Sequence, residues 1–101
     1  MESRYRIIFH PLAEIEYLDS VSWYEDNRTG LGIQFIREIE KKLNIIETNP
    51  YLYPIKKQMF REAVIDVFPY VIVYKIYKRK KSITIYSVFH TSRNPALKYR
   101  R

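Results

Sequence analysis

The stretch from Tyr70 to His90 constrains this chain more than any other. Tyr70, Ile72, Tyr74 and Ile76 alternate with Val71, Val73, Lys75 and Tyr77, the period of a pleated strand. Lys78-Arg79-Lys80-Lys81 then forms a charged break, and Ser82 to His90 resumes the alternation, so the segment reads as a β-hairpin. A hairpin alone is not stable in water and must pack against further elements of the chain.

Those elements precede it. Tyr5, Ile7 and Phe9 alternate with Arg6, Ile8 and His10, a short first strand that Pro11 stops. Proline suits the first turn of a helix, where its missing N–H has no partner to lose. Leu12, Ile15, Leu18 and Ser22 follow at helical spacing, with Tyr17, Val21 and Tyr24 on the flank, and the helix should end near Asp26-Asn27-Arg28. Glu14 and Glu16 lie where the helix dipole favours negative charge. His10, before the proline, reads as a cap or a surface residue. Thr29-Gly30-Leu31-Gly32 breaks the chain, with Thr29 as a candidate N-cap. A second helix carries Phe35 or Ile36, then Ile39, Leu43 and Ile46 on one stripe, until Asn49-Pro50 ends it. Tyr51-Leu52-Tyr53-Pro54 is a loop, and Phe60 to Val67 a strand broken near Pro69.

The order is β-α-α-β-β-β. Short connections favour antiparallel pairing, and two helices with one apolar face each must cover one face of the sheet. The expected fold is a two-layer α+β domain over residues 1–101, a helical hairpin packed on an antiparallel sheet. Its opposite face should stay open, rich in tyrosine and basic residues.

Charge is segregated along the chain. From Lys56 to Arg101 there are twelve Lys or Arg against Glu62 and Asp66, whereas the first fifty-five residues carry six basic and nine acidic side chains. A basic half within a chain of net charge +7 points to an anionic partner, a phosphodiester or an acidic polypeptide. With no cysteine, disulfides, thiolate metal sites and thiol catalysis are excluded. Two histidines make no conventional zinc site, so no metal or other cofactor is expected. No signal-type apolar core or membrane-spanning run is present, and a cytoplasmic location is expected.

The candidate site is the strand end Ile85-Tyr86-Ser87-Val88-Phe89-His90-Thr91-Ser92-Arg93-Asn94-Pro95, which puts an imidazole and a guanidinium within three residues. Antiparallel pairing would bring Arg61, Lys56 and Lys57 towards His90 and Arg93. Each has a plainer role as well: Arg61 in an ion pair, Arg93 as a turn residue, and Lys56, Lys57 and Lys78 to Lys81 as a rim that guards sheet edges. Together, their chemistry would be that of phosphate. Guanidinium groups grip phosphate oxygens and stabilise added negative charge, and an imidazole can move a proton at a ribose or leaving oxygen. A Ser-His-Asp triad lacks its elbow and oxyanion glycine.

Trp23-Tyr24-Glu25, Gly30-Leu31-Gly32 with Phe35, Asn49-Pro50-Tyr51-Leu52-Tyr53-Pro54, Arg61, Phe68-Pro69-Tyr70-Val71-Ile72-Val73-Tyr74 and His90-Thr91-Ser92-Arg93-Asn94-Pro95 together resemble the ordered blocks of the RelE/ParE toxin superfamily. The resemblance implies the toxin of a bacterial type II toxin–antitoxin system, neutralised by a small acidic antitoxin, on a microbial-RNase-like β-α-α-β-β-β fold. It also implies catalytic positions at Arg61, His90 and Arg93, and the basic residues Lys56, Lys57, Lys78, Arg79, Lys80 and Lys81 are expected to bind nucleic acid or ribosome. Family members divide between ribosome-dependent mRNA cleavage and inhibition of DNA gyrase. Metal-independent mRNA cleavage is the expectation, gyrase inhibition the alternative, and a small RNA-binding module a second alternative.

Overall fold

The computed structural model describes residues 4–101; Met1, Glu2 and Ser3, at the start of the segment that lacks a signal-type core, lie outside them. Five strands form one sheet in the order β1-β5-β4-β3-β2: β1 Arg6–Phe9, β2 Ile55–Lys57, β3 Phe60–Val64, β4 Tyr70–Tyr77 and β5 Ser82–His90. Helices α1 Pro11–Asn27 and α2 Leu31–Thr48 pack against it, giving the α+β architecture expected. Among the described residues no helix is long and apolar enough to cross a membrane.

The sheet is mixed where a purely antiparallel one was expected. β1 runs parallel to β5, Arg6 opposite Ser82 and Phe9 opposite Ile85, while the other neighbours are antiparallel. β1 lies beside the last strand of the chain, so no tight turn sets its direction. β2 extends the sheet beyond the expected strands. It is joined to β3 through Gln58 and Met59, both with positive φ (52° and 70°). β3 ends at Val64, earlier than the apolar run suggests. Val67 has φ 74°, and the N–H groups of Phe68 and Tyr70 donate to the carbonyls of Asp66 and Phe68 at 2.8 Å each. These tight turns return Phe68 to the core instead of prolonging the strand.

Proline opens α1 as expected, and His10 caps it: its Nδ1 accepts from the Leu12 N–H at 3.1 Å. The face that α1 buries differs from the expected stripe. Leu12, Ile15 and Leu18 are exposed, while Ala13 and Tyr24 are buried and Tyr17 and Val21 pack on the core. Apolar residues surround α1, so spacing alone does not choose a face. The aromatic flank prevails because Tyr24 meets Phe35, Phe68 and Tyr70 with ring centroids 4.8–6.2 Å apart. On α2 the stripe Phe35, Ile39, Leu43 and Ile46 is buried as its spacing requires.

Between the helices, Gly30 at φ 91° holds the N-cap position in place of Thr29. The Glu25 carboxylate accepts from the Gly30 and Gly32 N–H groups at about 3.0 Å, so a side chain of α1 satisfies the start of α2.

The face away from the helices is not open. Phe60, Val71, Val73 and Phe89 form a second buried cluster under Tyr86, Leu97 and Tyr99. Leu97 belongs to a 3-10 helix, Pro95–Leu97, and the tail is anchored where Lys98 and the Tyr99 hydroxyl meet the Glu62 carboxylate. Phe60 and Phe89 are too apolar to leave in water, and the C-terminal segment covers them.

An added Cβ at Gly32 would stand 2.8 Å from the Val21 carbonyl oxygen and 3.0 Å from Glu25 Cβ. Gly32→Ala is therefore expected to destabilise the fold by roughly 1–3 kcal/mol through forced separation of the helices. Urea unfolding measures it, and an unchanged midpoint would disprove the close approach.

Candidate functional site

A carboxylate organises one end of the sheet. β1 stops at Phe9, opposite Ile85, so the edge of β5 beyond that point has no neighbouring strand. Glu16, one turn into α1, reaches this edge and accepts from the Val88 N–H at 3.0 Å and the Ser87 hydroxyl at 2.9 Å. The same carboxylate receives Arg93 Nη1 at 2.8 Å and both Nη atoms of Arg101 at 2.9 Å. Burial pushes the Glu16 carboxyl up in pKa. Hydrogen bonds from Arg101, Ser87, Arg93 and the Val88 N–H outweigh that, and the group lies below the ordinary glutamate value of 4.5. Arg93 also lies over the Phe89 ring, 4.9 Å from its centroid.

His90 stands beside this carboxylate. It stacks edge-on to Tyr70 with ring centroids 5.0 Å apart, and its Nδ1 faces the Ser92 N–H at 3.0 Å and the Ser92 hydroxyl at 2.7 Å. A backbone N–H can only donate, so Nδ1 is an acceptor and the neutral ring carries its proton on Nε2. Two clefts border His90. One is lined by Asp19, Ser20, Trp23, Tyr24 and Tyr70, and the other by Glu16, Asp19, Ser20, Tyr70, Val88 and Arg93. The imidazole therefore looks onto two carboxylates and one arginine that Glu16 already holds.

Arg61 is elsewhere. It pairs with Tyr74, and His90 with Tyr70, so β4 lies between them and four residues separate them along it, about 13 Å. Its Nη1 donates to the Tyr53 carbonyl at 2.6 Å, and its guanidinium lies 5.1 Å from the centre of the Tyr51 ring. The strand pairing also puts the β2–β3 turn and the β4–β5 turn at this same end. Lys56, Lys57, Lys78, Arg79, Lys80 and Lys81 are all exposed there, and none has a carboxylate within salt-bridge distance among the described residues. The structure thus joins His90 with Arg93 and joins Arg61 with the lysines, and it separates the two groups.

Sequence reasoning passed over Glu16 and Arg101 as site residues. Glu16 was legible only as a favourable charge near a helix start, because its partners are more than seventy residues away. It also passed over Lys75, whose position inside an apolar strand was the available signal. Its amine lies 4.3 Å from the centre of the Phe60 ring.

A mixed sheet backed by a helical hairpin is the fold expected from the resemblance to the RelE/ParE superfamily toxins. The backbone is similar to a chain of a solved structure described as the chromosomal ParDE TA system from P. aeruginosa. The TM-score is 0.74 at 10% identity, covering 87% of this chain and 97% of that one, a likeness of fold. The profile of the family described as ParE toxin of type II toxin-antitoxin system, parDE, matches residues 7–95, and the chain belongs to that family. No curated protein sequence matches it.

A carboxyl with a depressed folded pKa contributes stability that is complete above its unfolded pKa and is lost as pH falls through the folded one. Stability is therefore expected to drop as pH is lowered below about 4.5. Glu16→Gln should lower stability at pH 7 by roughly 1–3 kcal/mol and flatten that acid slope. Urea midpoints between pH 7 and pH 3 give the result, and equal slopes in both proteins would refute the role given to Glu16.

Proposed function

We propose that this chain is the toxin of a type II toxin–antitoxin pair, that it arrests growth by binding DNA gyrase without cutting RNA, and that an acidic antitoxin neutralises it. Membership of the ParE family supports this reading. So does one observation above others: the three residues expected to cleave a phosphodiester do not share a site. Arg61 stands at the opposite end of the sheet from His90. Arg93 is bound to Glu16, and the cleft beside the imidazole also holds Asp19, so two carboxylates balance Arg93 and Arg101 and leave no net positive charge there for a phosphate. A general base needs a bare nitrogen, whereas the lone pair of His90 Nδ1 is already engaged by the Ser92 N–H, with the Ser92 hydroxyl beside it.

The surface instead suits protein recognition. Leu12, Ile15, Leu18 and Trp23 on α1 are between 47% and 60% exposed, an apolar area of the kind that partners cover. The unpaired cations at the Arg61 end suit an acidic chain, which fits an antitoxin.

Inducing the protein in bacteria should trigger the SOS response and leave mRNA intact, and purified protein should inhibit supercoiling by gyrase. His90→Ala should keep its toxicity within about threefold, since the imidazole carries no catalytic step in this reading and only borders the apolar area. Codon-phased cuts in mRNA, abolished by His90→Ala, would overturn this reading in favour of ribosome-dependent cleavage.

A further inference from the structure

Helix α1 differs in charge from the chain it belongs to. Pro11–Asn27 carries Glu14, Glu16, Asp19, Glu25 and Asp26 and no lysine or arginine, in a protein of net charge +7. Two of these carboxylates are occupied, Glu16 by Arg93 and Arg101 and Glu25 by the N–H groups of Gly30 and Gly32. Asp19 is exposed and has no cation within salt-bridge distance among the described residues. It stands one turn before Trp23, on the same side of the helix.

Asp19 and Trp23 line one cleft of about 330 Å³ together with Ser20, Tyr24, Tyr70 and His90. Asp19 is the one carboxylate among these lining residues, and no lysine or arginine is among them. The rings stand at steep angles: Trp23 to Tyr24 at 85° and 5.1 Å, Tyr24 to Tyr70 at 60° and 6.2 Å, Tyr70 to His90 at 76° and 5.0 Å. Rings set in this way border a space with π faces on more than one side. Tyr24 and Tyr70 are buried, and the Tyr70 hydroxyl donates to Ser20 Oγ at 2.9 Å, so the wall is fixed before a ligand arrives. Trp23, 60% exposed, leaves much of its indole to solvent.

Elsewhere in this protein cations lie on rings: Arg61 on Tyr51, Lys75 on Phe60, Arg93 on Phe89. Among the described residues none lies over Trp23, Tyr24 or Tyr70. An aromatic recess with one unpaired carboxylate suits a cation brought from outside. Arginine fits it better than lysine, because a planar guanidinium can lie on the indole and still offer two N–H groups to Asp19. Leu12, Ile15 and Leu18, all exposed on the same helix, continue the surface towards its N-terminus. The cation therefore arrives on an apolar segment and not as a free ion.

We propose that the Asp19–Trp23 cleft is an arginine receptor, taking one arginine side chain from an apolar segment of a protein partner. The guanidinium lies on Trp23 and pairs with Asp19, while the flanking apolar residues cover Ile15 and Leu18. Resting on the proposed function, that partner is the toxin's target, and the recess supplies the anchor that the apolar face of α1 alone lacks.

The test uses the fluorescence of Trp23, the sole tryptophan of the chain. The full chain is titrated with a capped nonapeptide of serine and leucine that carries one central arginine. A saturable change is expected, with affinity reduced roughly tenfold by Asp19→Asn and by exchanging the arginine for citrulline, its neutral isostere. The two losses should not add. Asp19→Asn should bind both peptides about equally, a coupling that misfolding cannot produce. Its melting temperature should match that of the parent, since Asp19 is exposed and has no ion-pair partner among the described residues. Glu14→Gln, an equal charge loss outside the cleft, should stay within about twofold. No saturable change up to about 1 mM peptide, equal binding of the two peptides by the parent, or equal losses in Asp19→Asn and Glu14→Gln would each overturn the proposal. In supercoiling assays Asp19→Asn should raise the amount of toxin needed to inhibit gyrase roughly tenfold, and an unchanged requirement would overturn the assignment of the arginine to the target. A chain that binds the arginine peptide through Asp19 yet leaves gyrase active would remove the proposed target alone.

Discussion

The carboxylate of Glu16 holds together parts of the chain that no other contact joins so directly. A parallel first strand four residues long leaves the end of β5 with an unpaired edge, and an unpaired N–H out of water is costly. Glu16 supplies the acceptor, fastens α1 to that edge, and binds the last residue of the tail as it returns across the sheet. The tail in turn covers Phe60, Val71, Val73 and Phe89. One side chain therefore links the helix layer, the exposed end of the sheet and the second apolar cluster.

The same contact divides the electrostatics of the molecule. Arg93 and Arg101 count towards the net charge of +7, yet both guanidinium groups are held on the one Glu16 carboxylate within the fold. At the other end, Arg61 and the lysines and arginine of the two turns have no carboxylate partner among the described residues. A catalytic site for phosphoryl chemistry needs its acid, base and cations within a few ångströms of one reacting atom. Here they lie at two ends of one sheet.

Much of the fold was legible from local pattern. The stripe of α2, the proline start and histidine cap of α1, and the hairpin of β4 and β5 each follow from residues a few positions apart. What local pattern did not contain was the choice among equivalent faces and distant neighbours. Leu12, Ile15 and Leu18 space as well as Tyr17, Val21 and Tyr24, and only the shape of the aromatic core around Phe35 selects the second set. The parallel register of β1, and the cover over Phe60 and Phe89, depend on pairings more than fifteen residues apart. At the site, His90 and Arg93 were recognisable as neighbours. Arg61 was drawn to them by the assumption that strand-end cations converge, although its register opposite Tyr74 places it at the other end.

The central claim is that guanidinium charge at the His90 end belongs to the fold. A double-mutant cycle on Glu16 and Arg101, using Glu16→Gln and Arg101→Gln with urea unfolding, tests it most directly. Their side chains are only 14% and 17% exposed, so the pair is not a surface bridge of little consequence. The expected coupling is roughly 1–3 kcal/mol, with the double variant less damaged than the two single losses combined. A coupling of zero would mean that Arg101 is free for other work, and would contradict the account.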